Sequence, residues 1–173
     1  MIICITGPTG VGKTDASWAL IELGRPMVFL DCDWFVSRVP FSWSFEDDVE
    51  SAFQAIAVML NFQINRRFSR FVVPVTVEMA LSFKRHRHYF EEFGLPVLTL
   101  QLRCSEEQLR RRILERDRIA EQKSVELASI RSQMVHCSDL APEFQVIDTS
   151  NLDQGAVARK LWSIASHVDH PAA

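Results

Sequence analysis

The chain has 173 residues, 47% hydrophobic and 24% charged, with a net charge of −3. That is the make-up of one soluble globular domain, which buries roughly two thirds of its unfolded surface without metal or disulfide staples. The mildly negative balance argues against nucleic acid or a membrane surface as the main partner, and no apolar run approaches the ~18 residues of a membrane span. The first apolar run is short and breaks into glycine, so it does not read as a signal peptide. Cys4, Cys32, Cys104 and Cys137 are scattered, without Cys-x-x-Cys or His at metal spacing. They read as small core residues of a reduced, cytoplasmic protein.

Apolar, β-branched runs alternate with helical patterns along the whole chain. "IICIT" (2–6), "MVFLD" (27–31), "FVVPVTV" (71–77), "VLTLQL" (97–102) and "FQVID" (144–148) predict five strands. Their near-continuous apolar character is that of parallel strands covered on both faces. Helices are expected over 13–23, about 47–67, about 80–93, 105–117, about 124–137 and about 153–167. The fourth opens on Ser105 with Glu106 and Glu107 in its first turn, which suits capping and the helix dipole. This alternation predicts a three-layer α/β/α fold in one domain, a five-stranded parallel sheet joined by right-handed crossovers. Ligands on such sheets bind beyond the carboxyl ends of the strands. The segments 7–14, 31–34, 103–105 and 148–150, with Glu78, should therefore share one rim.

"GPTGVGKT" (7–14) matches Gly-x-x-x-x-Gly-Lys-[Ser/Thr] at every fixed position, after a strand and before a helix. In such a loop the backbone around Gly7, Thr9, Gly10, Val11 and Gly12 wraps phosphates with inward N–H groups, helped by the N-terminus of the next helix. Lys13 would bridge the β- and γ-phosphates, and the Thr14 hydroxyl would ligate Mg²⁺. A GTPase would carry Asn-Lys-x-Asp near the fourth strand; none occurs, so ATP is the expected nucleotide. Motor ATPases are longer and end a strand in Asp or Asp-Glu, whereas here Glu78 is the only acid after the third strand.

"LDCDWF" (30–35) sets Asp31 and Asp33 at the end of the second strand. One acid at this rim can orient Mg²⁺, assigned here to Asp31, and the other can accept a substrate proton, assigned to Asp33. The competing reading makes Asp31 a helix cap and Asp33 a solvated side chain. In "LRRRILERDR" (109–118), Arg112 and Arg116 are four apart and are expected to face the nucleotide, as catalytic cations. Arg110 and Arg111 are expected to pair with neighbouring glutamates. The polar stretch that follows reads as a mobile lid over about 112–124.

These motifs, with "SEEQLRRRILERD" and "VIDTSNLDQGAVARKL", resemble the small P-loop kinases related to nucleoside monophosphate, shikimate and gluconate kinases. Within that group, "RFVVPVTVEMA" and "GLPVLTLQLRCSEEQLRRRILERD" are most similar to the tunicamycin-resistance type of ATP-binding protein, from which Asp-Cys-Asp at the second strand departs. The resemblance implies ATP and Mg²⁺ as cofactors and places Asp148 and Ser150 beside the adenine. It also puts the acceptor in the region of about 33–70, with Asp33, Trp34, Arg38 and Glu78 as its contacts. Trp34, Phe35, Phe41, Trp43 and Phe45 crowd this region and serve either a core or a pocket. Arg85 or Arg87 is a further candidate for holding an anion. His86 and His88, two apart on a helix, diverge too far for a metal site. The reading is thus an ATP-dependent kinase for a small-molecule acceptor, as monomer or homodimer. Its alternative is a protein that binds and sequesters such a ligand without phosphorylating it.

Overall fold

The computed structural model describes residues 1–23, 26–33, 45–116, 119–140 and 143–169. The aromatic cluster at 34–44, with Trp34 and Arg38, falls outside them, as do the side chains of 45–47.

Five parallel strands form one sheet: β1 (Ile2–Thr6), β2 (Val28–Phe29), β3 (Phe71–Pro74), β4 (Val97–Arg103) and β5 (Gln145–Asp148). Their spatial order is β2-β3-β1-β4-β5, so β1 is central and lies between β3 and β4. The period-two alternation of the strands divides their side chains between two cores. Ile2, Cys4, Phe71 and Val73 face one of them, and Ile3, Ile5, Val72, Leu100 and Leu102 face the other. The continuous apolar runs are continuous because both faces are buried.

On the first face lies α2 (Phe45–Asn65), which turns Val49, Ala52, Phe53, Ile56 and Leu60 inward at helical spacing. Beside it run three short helices, α3 (Val77–Leu81), α4 (Phe83–His86) and α5 (His88–Glu91), where one helix over 80–93 was expected. Ser82 breaks the pattern. Its hydroxyl donates to the Met79 carbonyl at 3.0 Å and its backbone leaves the helical region at φ −94, ψ 1. His86 is buried here, stacked on Phe53 at 4.8 Å, with Nδ1 3.0 Å from the Ser82 carbonyl oxygen.

The opposite face carries α1 (Lys13–Glu22), α6 (Glu106–Glu115) and α8 (Gln154–Asp169), which contribute Leu20, Leu109, Ile113, Val157 and Leu161 to the second core. Between α6 and β5 runs α7 (Ala120–Ser138), which sends Ile130 into the second core and Cys137 into the first. It begins at Ala120 rather than near residue 124. Ala120, Glu121, Gln122 and Lys123 are good helix formers, so the last residues of the expected lid are the first turn of a helix, and its first ones, 112–115, are the end of α6. All four cysteines are buried and unpaired by disulfides. No helix among the described residues is long and apolar enough to cross a membrane.

Two strand boundaries differ from expectation in ways that shape the rim. β3 stops at Pro74, which has no N–H to continue the ladder, and Thr76 then caps α3 by accepting the Met79 N–H at 3.2 Å. Glu78 therefore sits in the first turn of a helix and not at a strand end. β2 is only two residues long, but the chain beyond it stays paired to β3: Leu30 N–H donates to Val72 O at 3.0 Å and Cys32 N–H to Pro74 O at 3.4 Å. That pairing carries Asp31 and Asp33 to the rim.

Candidate active site

The glycine loop leaves the end of the central strand and turns into α1. Gly7, Gly10 and Gly12 all have positive φ, at 144°, 86° and 95°. A methyl group at Gly7 would stand 2.5 Å from the Leu102 carbonyl oxygen, so the loop can pass the end of β4 only without a side chain. One at Gly10 would meet Ile113 at 3.0 Å and the Leu109 carbonyl at 3.1 Å, which shows how tightly the loop packs on α6. Gly12 is spatially open but holds the left-handed conformation that starts α1.

Lys13 folds back across the loop, its ammonium donating to Gly7 O at 2.7 Å and Pro8 O at 3.4 Å. Burial pulls it below the ordinary lysine range, opposed by nearby anions of which Asp33 acts most strongly. Phosphate oxygens at the loop would restore the favourable surroundings of the charge.

Two clefts flank the loop. The larger, about 620 Å³, is lined by Gly10, Val11, Gly12, Asp15, Arg112, Arg116, Leu152, Asp153, Gln154 and Gly155. Both arginines singled out in the sequence therefore reach it, although Arg116 lies one residue past α6 rather than on its face. Arg112 donates to Val11 O at 3.0 Å and to Thr149 O at 3.4 Å, tying the glycine loop to the segment after β5. Arg116 is 3.6 Å from Glu126 on α7. Arg110 pairs with Glu106 at 2.8 Å and Arg111 with Glu115 at 3.8 Å, as helix neighbours four apart do.

Asp148 and Ser150, expected at the adenine, do not line this cleft. The Asp148 carboxylate accepts the Ser150 N–H at 2.8 Å, and the Ser150 carbonyl accepts from Gln108 at 2.5 Å. These bonds fix the turn after β5. The lining comes from the next turn of chain, where Asp153 caps α8 by accepting the Ala156 N–H at 2.6 Å.

The smaller cleft, about 210 Å³, lies at the other end of the loop, among Gly7, Thr9, Lys13, Thr14, Asp31, Cys32, Asp33, Thr76, Glu78 and Gln133. It brings together Thr14, Asp31, Asp33 and Glu78 from three segments. Asp31 is buried and accepts the Asp33 N–H at 3.1 Å, so it shapes the turn that presents Asp33, which is exposed. Burial pushes the Asp31 carboxyl above the usual carboxylate range. Asp31, Cys32 and Asp33 offer ligand atoms within 4.8 Å of one another. The carboxylate oxygens and the Thr14 hydroxyl are hard donors that fit Mg²⁺. Cys32 does not fit: burial raises its pKa well above the ordinary thiol value and its Sγ donates to Asp33 at 3.7 Å.

Gln133, from the middle of α7, was not foreseen. Its carboxamide oxygen accepts the Thr9 N–H at 2.7 Å, which places α7 over the glycine loop. No motif marks it, and only the return of α7 across the rim brings it there. Arg85 is exposed and Arg87 pairs with Glu91 at 2.6 Å; neither lines the cleft.

A parallel sheet in this order, with a Gly-x-x-x-x-Gly-Lys-Thr loop at the end of its central strand, defines a P-loop nucleotide-binding fold of the small-kinase type. A family model described as an AAA domain matches residues 2–140, and the chain belongs to that family. Solved structures with the same fold include the tunicamycin resistance protein of Deinococcus radiodurans, 19% identical over 95% of this chain and 94% of that one, with a TM-score of 0.67. A sugar kinase from Janibacter sp. HTCC2649 is 19% identical over 97% of this chain and 94% of its own, at a TM-score of 0.63. A gluconokinase from Sinorhizobium meliloti 1021 is 18% identical over 99% and 97%, at 0.62. No curated protein sequence matches the chain.

Proposed function

We propose that the protein is an ATP- and Mg²⁺-dependent phosphotransferase acting on a hydroxyl of a small-molecule acceptor. The observation that carries this is the position of the glycine loop between two clefts of different character. The larger, about 620 Å³ and lined by Arg112, Leu152 and Gly155 among others, has room for a nucleoside beside the loop. A triphosphate running from there over the loop N–H groups ends at Lys13 and Thr14, in the smaller cleft. There Asp33 would take the acceptor's hydroxyl proton as its oxygen attacks the γ-phosphate, and Glu78 would orient the acceptor. Thr14 and Asp31 would hold Mg²⁺, which supplies charge neutralisation between the β- and γ-phosphates. Arg116 is a candidate second cation for the transferring group.

The kinase neighbours support this reading at the level of fold. The test is ADP formation with a panel of nucleosides, sugars and antibiotics. Asp33→Asn is expected to lower kcat by about 10²–10⁴-fold, with binding of a non-hydrolysable ATP analogue unchanged. An unchanged kcat would remove Asp33 from the chemistry. Tight ligand binding with ATP left intact would favour sequestration instead.

A further inference from the structure

Building on the kinase reading, we infer that Gln133 of α7 contacts the γ-phosphate of the donor, so that the site tells a nucleoside triphosphate from its diphosphate.

The two clefts share the glycine loop unequally. Gly10, Val11 and Gly12 line the larger, whereas Gly7, Thr9, Lys13 and Thr14 line the smaller. With the nucleoside in the larger cleft, the phosphate that reaches Thr9 and Lys13 is the terminal one. Gln133 stands at that end of the loop, its Oε1 accepting the Thr9 N–H at 2.7 Å. Only an oxygen can accept an N–H, which assigns the two ends of the carboxamide. The nitrogen donates to no described residue, and Gln133 lines the smaller cleft, so its N–H donors are available to a phosphate oxygen there.

The cores set this placement. Ile130, one turn before Gln133, is buried in the second core, and Cys137, one turn after it, in the first. Gln101 Nε2 donates to Cys137 O at 3.0 Å and fastens α7 to β4. At this spacing the three residues share one helix face, so packing of the outer two presents the middle one to the loop. A side chain held beforehand loses little freedom when it binds. Charge at this end of the loop is carried by Lys13, by Asp31, Asp33 and Glu78, and by the divalent ion proposed for Thr14 and Asp31. A neutral carboxamide leaves that balance as it is and adds a directed donor, and hydrogen bonds to an ionised oxygen are the stronger kind. A glutamate at the same place keeps an oxygen for the Thr9 N–H but gives up the donor and adds an anion.

The full chain is titrated calorimetrically with ADP and with a non-hydrolysable ATP analogue, at one saturating Mg²⁺ concentration and again with chelator. The quantity read is the ratio of the two Kd values, compared between parent and variant under the same ion. Gln133→Glu and Gln133→Leu are each expected to shift that ratio about tenfold or more against the analogue, with ADP affinity kept within about twofold. Ser132→Glu, which puts the same charge on the exposed neighbour, should leave the ratio at the parent's value. In the ¹⁵N-labelled parent the Gln133 carboxamide signals, assigned by their loss in Gln133→Glu, should move further with the analogue than with ADP. Equal weakening of both nucleotides, an unchanged ratio in Gln133→Glu or an equal shift in Ser132→Glu overturns the inference and leaves phosphotransfer standing. So do carboxamide signals that ignore the analogue. If the ratio shifts as expected while no acceptor yields ADP, Gln133 keeps its phosphate and phosphotransfer falls. A parent chain that binds neither nucleotide refutes both.

Discussion

Replacing each loop glycine with alanine separates conformational strain from collision. Gly12→Ala adds a methyl whose nearest neighbour is the Asp15 carboxylate at 3.9 Å, so its cost is the left-handed backbone alone, about 1–2 kcal/mol. Gly10→Ala, at φ 86°, adds contacts of 3.0 Å to Ile113 and 3.1 Å to a backbone carbonyl. Gly7→Ala, at φ 144°, brings the methyl to 2.5 Å from the Leu102 carbonyl, between two strands that cannot move apart without breaking the sheet. Overpacking adds about 1–3 kcal/mol to a backbone strain of similar size, so about 2–6 kcal/mol is expected for Gly7→Ala and an intermediate value for Gly10→Ala. In a domain this long each kcal/mol lowers Tm by about 2–4 °C. Urea unfolding without nucleotide measures the series, with thermal scans as a check. The order Gly7, Gly10, Gly12, from most to least destabilising, follows from the contacts. A Gly12→Ala chain as unstable as Gly7→Ala would refute the steric reasoning. Gly12→Ala should instead lose the stabilisation that saturating nucleotide gives, which is about 2.7 kcal/mol at 100 Kd.

Two further outcomes concern Arg112 and Asp31. Arg112→Ala removes a charged donor from two carbonyls and is expected to cost about 1.5–3 kcal/mol in urea unfolding and to weaken ATP-analogue binding, whereas Arg111→Ala on the solvent side should stay within about 0.5 kcal/mol. Asp31 titrates above its ordinary value of 3.8 in the fold because of burial. Below that value both folded and unfolded chains are protonated there. As pH rises from it to the raised value, the unfolded chain ionises first and stability falls. Asp31→Asn should flatten this decline in urea unfolding followed from pH 3.5 to 7 with chelator present. Added Mg²⁺ should then stabilise the parent chain more than the variant.

How far the residues alone disclosed the fold depended on where the information sits. The strands announced themselves because burial on both faces makes runs such as "IICIT" apolar throughout. The glycine loop was legible because phosphate binding and close packing demand glycine at fixed spacing. The boundaries after β2 and β3 were read less well. Pro74 and the Thr76 cap ended a strand that apolar periodicity would have continued, and pairing with β3 carried the rim past the formal end of β2. Asp148 and Ser150 lie beside the larger cleft and not in its lining, held by a bond between them and one from Gln108 of α6, a detail that spacing in the sequence does not carry. Gln133 lay beyond reach, because its position depends on how α7 crosses the sheet and its residue type carries no motif.

The contact between Gly10 and α6 bears on how the protein can move. A side chain at Gly10 would meet Ile113 and the Leu109 carbonyl, so the loop lies close against α6 with no room for one. A closing motion hinged inside α6 would distort the cradle in step with it. The helix that crosses the loop belongs to the same frame, since α7 buries Ile130 in one core and Cys137 in the other. The loop and the helix that meets it through Gln133 and Thr9 therefore share one packed support.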